Sequence, residues 1–410
     1  MPAGSFGMPH QWHLATGAGD HDAMSPARIV HIIDHLGLGG VQTFLRTVLP
    51  QLPKHRFAPM VVSLRGATPL SRSLEAAGVP VIALDLPRWS PRQYFALIAV
   101  LRRLRPAVVH THLTVGKLIG RLAAIRAQVP GIILDDQLSV SQDTYDLPPA
   151  IVLAYRLLEP LLEPYTALYI SPSHTIQESS CAVKRWPVSK CRVLYNAIDC
   201  AQFVPATDRA GMRAALGLPE RVTVTTFGRL VPQKRFADVV AVAQHVTRRC
   251  PNVQFLIAGG GPLEDQIRRW IDAARLKEHM RLLGLRRDTA QLLAATDIYL
   301  SASAGEAFSV AILEALASGC PVVATTAGGT IEQVFPGING YLARVGDIEG
   351  LANAVAHLIE HPEQRRAFGE AGRRYASEHF DVPIIAARLA DLYSEVLETT
   401  GWRPAPPILA

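Results

Sequence analysis

Residues 297–325 read DIYLSASAGEAFSVAILEALASGCPVVAT. The first apolar run, Ile298 to Leu300, has the character of a buried strand, and from near Phe308 about ten residues follow at helical spacing. Gly319 can adopt the left-handed conformation that closes a helix, and Pro321 prevents continuation before a second apolar run ends at Ala324. A strand, a loop, a helix and another strand form the repeating unit of a parallel sheet whose crossovers cover both faces.

The alternation extends in both directions. Thr223 to Phe227, Val253 to Ala258 and Met280 to Leu283 are further strands of this set. An earlier set comprises Ile29 to Ile33, Ala58 to Leu64, Val79 to Leu84, Ala107 to His112, Ile132 to Leu134, Ala167 to Ser171 and Arg192 to Tyr195. Asn196 to Pro219, rich in turn residues, reads as the linker between the sets. The expectation is α/β: two Rossmann-like, doubly wound parallel-sheet domains facing across a cleft. They span residues 28–199 and 200–380 after a flexible leader at 1–27. An amphipathic helix at 381–399 returns to the first domain, and a Pro-rich tail occupies 400–410.

At 410 residues, with 49% hydrophobic and 19% charged residues, the chain can build two substantial cores. The net charge of +6 lies in the first half: residues 1–200 hold 19 Lys+Arg against 13 Asp+Glu, the remainder 22 against 22. Five widely spaced cysteines without a C-x-x-C pair argue against a disulfide framework or zinc ribbon. The leader lacks the basic-then-apolar order of a signal peptide, and no apolar run reaches the roughly 18 residues of a membrane span. A cytoplasmic protein is expected.

Chemistry-bearing residues cluster at the ends of strands. The backbone N–H groups near Phe308, Ser309 and Val310 open a helix and offer an anion site suited to phosphate. Glu306 precedes that site and Glu314 follows eight residues later; beside a phosphate, such carboxylates suit the hydroxyls of a sugar, although paired Glu residues are more often solvated charges. Arg229 and Lys234 flank a Pro-containing turn after a strand, where a guanidinium fork and a mobile ammonium could neutralise a diphosphate or simply form a basic surface loop. Gly37, Gly39, Gly40 and the run Gly259-Gly260-Gly261 permit close approach to the backbone, yet neither is a complete G-x-G-x-x-G. His110 and His112 end a strand on one face; a zinc pair is conceivable there but lacks a third ligand.

These features together resemble the retaining, nucleotide-sugar-dependent glycosyltransferases of GT-B architecture, family 4 type. The resemblance runs from about Arg28 to Leu397. It rests on Glu306 to Glu314 as an E-x7-E pattern, on the Arg229/Lys234 loop, on Asn196-Ala197-Ile198-Asp199 and on Asn339-Gly340-Tyr341-Leu342. It implies a UDP- or GDP-linked donor whose diphosphate meets Arg229 and Lys234, whose sugar meets Glu306 and whose ribose meets Glu314. Phe308, Ser309 and Val310 would frame the donor site. Leu285 and Arg286 would lie by the base, Gly39 and Gly40 would close over the donor, and His112 would stand near the transferred sugar. It further implies transfer to a hydroxyl of a glycan or lipid-linked acceptor, without a metal or other cofactor, by a front-face displacement. Gln42, Arg235, Ala307, Ser309 and Asp135-Asp136-Gln137 depart from the usual pattern, the last in the half that reads the acceptor.

The alternatives are an epimerase of the same fold or a non-catalytic sugar-nucleotide-binding protein. A phosphorylase lacks a recognisable pyridoxal phosphate lysine here, and a dehydrogenase would need the complete dinucleotide fingerprint. Phe95, Ile98, Leu101 and Leu104 among Arg92, Arg102, Arg103 and Arg105 are compatible with a helix lying on an anionic membrane at the inner face of the plasma membrane; packing on the sheet is the plainer reading. Nucleic acid is not expected as a partner, because no aromatic residues interleave the basic ones.

Overall fold

The computed structural model describes residues 25–37, 39–87, 90–137 and 149–403. Leu38, most of the leader and the end of the Pro-rich tail lie outside them. Seven strands form the first sheet: β1 Ala27–Ile33, β2 Phe57–Ser63, β3 Val81–Ala83, β4 Val108–His112, β5 Gly131–Asp135, β6 Leu168–Ser171 and β7 Cys191–Val193. Six form the second: β8 Val222–Phe227, β9 Val253–Ala258, β10 Met280–Leu282, β11 Ile298–Ser301, β12 Val322–Thr325 and β13 Gly340–Ala343. Their orders are β3-β2-β1-β4-β5-β6-β7 and β10-β9-β8-β11-β12-β13, and the pairings are parallel. The strand order therefore reverses between β1 and β4 in one sheet and between β8 and β11 in the other. At such switch points the crossover helices diverge to opposite faces and leave a crevice beyond the carboxyl ends of the strands.

Burial on both faces explains the apolar runs. Every residue of β4, β5, β9, β11 and β12 is buried. The strand not anticipated is β13. It begins at Gly340, where a Cβ would collide with the Val322 carbonyl oxygen, so its register against β12 depends on a residue that carries no strand signal.

Asn196 to Pro219 is more structured than a linker of turn residues, containing the helix Arg209–Ala215. The chain's two passages between the sheets run side by side within it. The Ile198 N–H donates to the Phe380 carbonyl, the Val382 N–H to the Ile198 carbonyl, and the Cys200 N–H to Asp381 Oδ1. Asp381 then leads into the helix Val382–Thr399, whose Ile385, Leu389, Tyr393 and Val396 are fully buried in one core with β1 and β4 residues.

In the helix Pro91–Leu104 the apolar face considered for a membrane contact packs on the sheet instead. Ile98 and Leu101, required at a bilayer surface, are only 7% and 1% exposed and join Leu97 in the core beneath the sheet. Phe95 alone of the quoted apolar positions projects outward. The periodicity was real, but covering the sheet uses the apolar face.

Candidate active site at the sheet switch points

The second sheet assembles a cationic and acidic cluster at its switch point. After β8, Gly228 turns the chain and Arg229 projects as an exposed side chain with no hydrogen bond or ion pair among the described residues. Lys234 ends a short 3-10 turn, Pro232–Lys234. Across the switch, the loop after β11 presents Glu306, whose Oε1 lies 2.5 Å from Lys234 Nζ. Backbone bonds hold the two loops together, with the Ala304 N–H donating to the Gln233 carbonyl at 2.8 Å and the Gln233 amide donating to Gly305. The chain reversal following Lys234 uses Arg235 at φ 50°, a left-handed conformation that favours glycine. Its guanidinium bonds Asp238 at 2.6 Å, which helps to hold the turn.

The helix opens later than the sequence suggested. It spans Val310–Ala317 with Ser309 as its N-cap residue. The Ser309 N–H is already occupied, donating to Gln333 Oε1 at 2.9 Å, while Gln333 Nε2 donates back to the Ser309 carbonyl. The Phe308 ring is 3% exposed and packs tilted or edge-on against Tyr195 and Phe380 in the core. The first-turn N–H groups of Val310, Ala311 and Ile312 have no intrahelical acceptor, and the positive end of the helix dipole lies there.

Glycines in this region do a different job from the one expected. Gly259, at φ 149°, abuts the Gly228 carbonyl, and a Cβ on Gly261 would come within 2.8 Å of the Leu230 nitrogen. Here backbone packs on backbone to join the loops after β8 and β9. Leu285 is 62% exposed beside this pair, and Arg286 is clamped in bidentate fashion on Asp288, which holds the Asp288 carboxyl below the usual range.

The first sheet faces this cluster. Gly39 caps the helix Gly40–Val48, and a Cβ on Gly40 would stand 3.7 Å from Val310 Cγ2, so two helix N-termini oppose one another. Ser173 Oγ donates to the Ala307 carbonyl at 2.8 Å, and Asn196 Nδ2 to the Phe308 carbonyl at 2.9 Å, fixing the Glu306 loop from the other side. Glu332 accepts from the His174 and Thr175 N–H groups and the Tyr195 hydroxyl, bonds that hold its carboxyl low against the opposing effect of burial.

Glu314 lines the helix one turn inward, where burial raises its carboxyl to about 8 and the Arg46 charge only partly opposes this. Folding therefore takes up a proton at Glu314 between the ordinary carboxylate range and about pH 8. The resulting stability is complete in acid and is lost as pH rises toward 8. The melting temperature of the wild type should fall more steeply over this window than that of Glu314→Gln; parallel curves would refute the assignment.

His112 has no solvent exposure in this structure. Period two along β4 sends it to the core face, fully buried, with Nδ1 2.6 Å from Asp135 Oδ2 and Nε2 3.0 Å from His31 Nδ1. The third imidazole beside His110 and His112 is His31. The parallel pairing of His31 with His110 reveals it, and only the register of β1 against β4 establishes that pairing.

Residues 208–375 match the family described as Glycosyl transferases group 1, and residues 38–202 match Glycosyltransferase Family 4. A GDP-mannose-dependent alpha-(1-6)-phosphatidylinositol monomannoside mannosyltransferase of Mycolicibacterium smegmatis is 32% identical over 220 residues, covering 51% of this chain and 57% of that protein. The chain thus aligns with little more than half of that relative's length. The UDP-Gal:alpha-D-GlcNAc-diphosphoundecaprenol alpha-1,3-galactosyltransferase of Escherichia coli is 26% identical over 348 residues, covering 82% and 89% of the two chains. Anabaena Alr3699/HepE, solved with UDP, superposes with a TM-score of 0.78 at 22% identity over 90% of this chain and 99% of that one, a likeness of fold. With two facing parallel sheets and two consecutive family matches, this chain belongs to the group 1 glycosyltransferases of GT-B architecture.

Proposed function

We propose that the protein transfers a glycosyl group from a UDP- or GDP-linked sugar to a hydroxyl of a glycan or lipid-linked acceptor, with retention at the anomeric carbon. The carrying observation is the Lys234–Glu306 pair at one switch point, on the loops that carry exposed Arg229 and lead into the Val310 helix terminus, opposite Gly39 and Gly40. The two cations and the helix dipole supply the positive field that a departing nucleoside diphosphate needs, so the reading requires no divalent ion for leaving-group stabilisation. Glu306 is an acceptor for hydroxyls of the transferred sugar, and Glu314 for the ribose. In this reading Arg286, once released from Asp288, meets the base. In the absence of donor, Glu306 neutralises Lys234; an entering diphosphate competes for that ammonium and frees the carboxylate for the sugar. The reading makes no use of the His112 ring.

The acceptor class draws support from the phosphatidylinositol mannoside and diphosphoundecaprenol named for the two relatives. A thermal-shift panel of nucleotides and nucleotide sugars tests the donor, since a ligand that binds only the folded state raises its melting temperature, by about 2.7 kcal/mol of stabilisation at a hundred times Kd. The expected result is a shift with a UDP or GDP sugar and a smaller one with the matching mononucleotide. No shift with any member would refute the reading. An altered sugar released without acceptor would identify an epimerase.

A further inference from the structure

A polar island interrupts the apolar core between the first sheet and the returning helix Val382–Thr399. His31 on β1 and His110 on β4 are parallel Cα partners, and His112 lies two residues further along the same face. All three rings are at most 1% exposed, among Ile33, Val108 and Leu389. One ring nitrogen from each lies within 4.8 Å of the other two.

The remaining ring nitrogens are held by oriented partners. His112 Nδ1 meets Asp135 Oδ2 at 2.6 Å. Tyr393, delivered by the returning helix, places its hydroxyl 3.0 Å from both His31 Nε2 and His110 Nδ1. The inward nitrogens are then His31 Nδ1 and His112 Nε2, 3.0 Å apart, and His110 Nε2, which is buried without a hydrogen-bond partner. Outward nitrogens bonded to a carboxylate or hydroxyl, with the inward nitrogens facing one another, are the outer and inner shells of an imidazole metal site.

We propose that His31, His110 and His112 bind one divalent transition-metal ion of the zinc type, in a structural site separate from the donor cleft. Three imidazoles select zinc, cobalt, nickel or copper over magnesium or calcium. Metal–nitrogen bonds of about 2.0–2.1 Å put tetrahedral nitrogens about 3.4 Å apart, close to the His31–His112 separation, while the His110 ring moves inward to complete the set. The fourth position is left to a small ligand such as water. Binding exchanges the His31–His112 hydrogen bond for two metal bonds, its proton moving to His31 Nε2, where the Tyr393 oxygen accepts it, and gives His110 Nε2 a partner. The bound ion would pin the returning helix, through Tyr393, to the two central strands. Because no ring reaches solvent, loading requires folding or opening of that helix.

The test uses the full chain without a polyhistidine tag, produced in zinc-supplemented medium and, separately, refolded with cobalt(II). The expected results are one zinc per chain after gel filtration, measured by mass spectrometry, and the visible absorption of tetrahedral cobalt. Both should be lost in His31→Gln and His110→Gln. Both should persist in His357→Gln, which removes half of the stacked His357/His361 pair elsewhere on the surface. A wild type without zinc or the cobalt band would overturn the proposal, as would loss of metal in His357→Gln alone. Should the core variants fail to fold, the wild-type cobalt spectrum still decides: its absence refutes the site, and a tetrahedral nitrogen-ligand band supports it.

Discussion

Replacing Lys234 by alanine should lower turnover by about a hundred- to a thousandfold, the usual effect of deleting one preorganised group that stabilises transition-state charge. The loss should be deeper in the double variant Arg229→Ala/Lys234→Ala, because the remaining helix terminus supplies only a partial charge. Glu306→Gln should also fall by at least about a hundredfold, since an amide is a weaker acceptor for hydroxyls and no longer balances Lys234. These variants separate chemistry from folding. Lys234 and Glu306 form a largely buried pair, so each variant's melting temperature shows how much of its loss is folding. Initial rates of product formation, set beside melting temperatures, provide the measurement. A folded Lys234→Ala protein with wild-type turnover would refute the phosphate role.

Gly259→Ala should be the most damaging single-methyl change near the cleft. At φ 149° an L side chain is strained, and its Cβ would collide with the Gly228 carbonyl oxygen. The obstacle is backbone, which no rotamer change can clear. Strain and overpacking together should cost about 3–5 kcal/mol. That corresponds to roughly 10 °C or more in melting temperature for a domain of this size. Arg229 and Lys234 lie on the displaced loop, so donor binding should weaken as well. Gly78→Ala is the control: its φ of 84° is also positive, but nothing stands within 4 Å of the added Cβ. It should cost only about 1–2 kcal/mol, the left-handed penalty alone. Equal losses in the two variants would show that loop packing contributes nothing.

Parallel strands buried on both faces leave an unmistakable record, and most strands of both sheets were legible as apolar runs. Legibility failed where structure depends on a contact with a remote backbone. The strand β13 rests on a glycine fitted against Val322, and the Gly259 run serves loop packing although it resembles a ligand cradle. For the site, residue type and spacing singled out Arg229, Lys234, Glu306 and Glu314. The spacing did not reveal that Gln333 occupies the Ser309 N–H, or that the Phe308 ring turns inward. Side-chain amides from distant segments and the core's demand for aromatic volume decide those matters.

The sequence by itself determined the two-sheet architecture, the family and the cationic and acidic residues of the candidate site, because these are properties of local periodicity and motif. Only the tertiary structure decided where His112 points and what surrounds it. Strand register joins His31 to His110, and the returning helix brings Tyr393 across the chain from the far terminus. Contacts between residues hundreds of positions apart depend on register and packing, which no local pattern encodes.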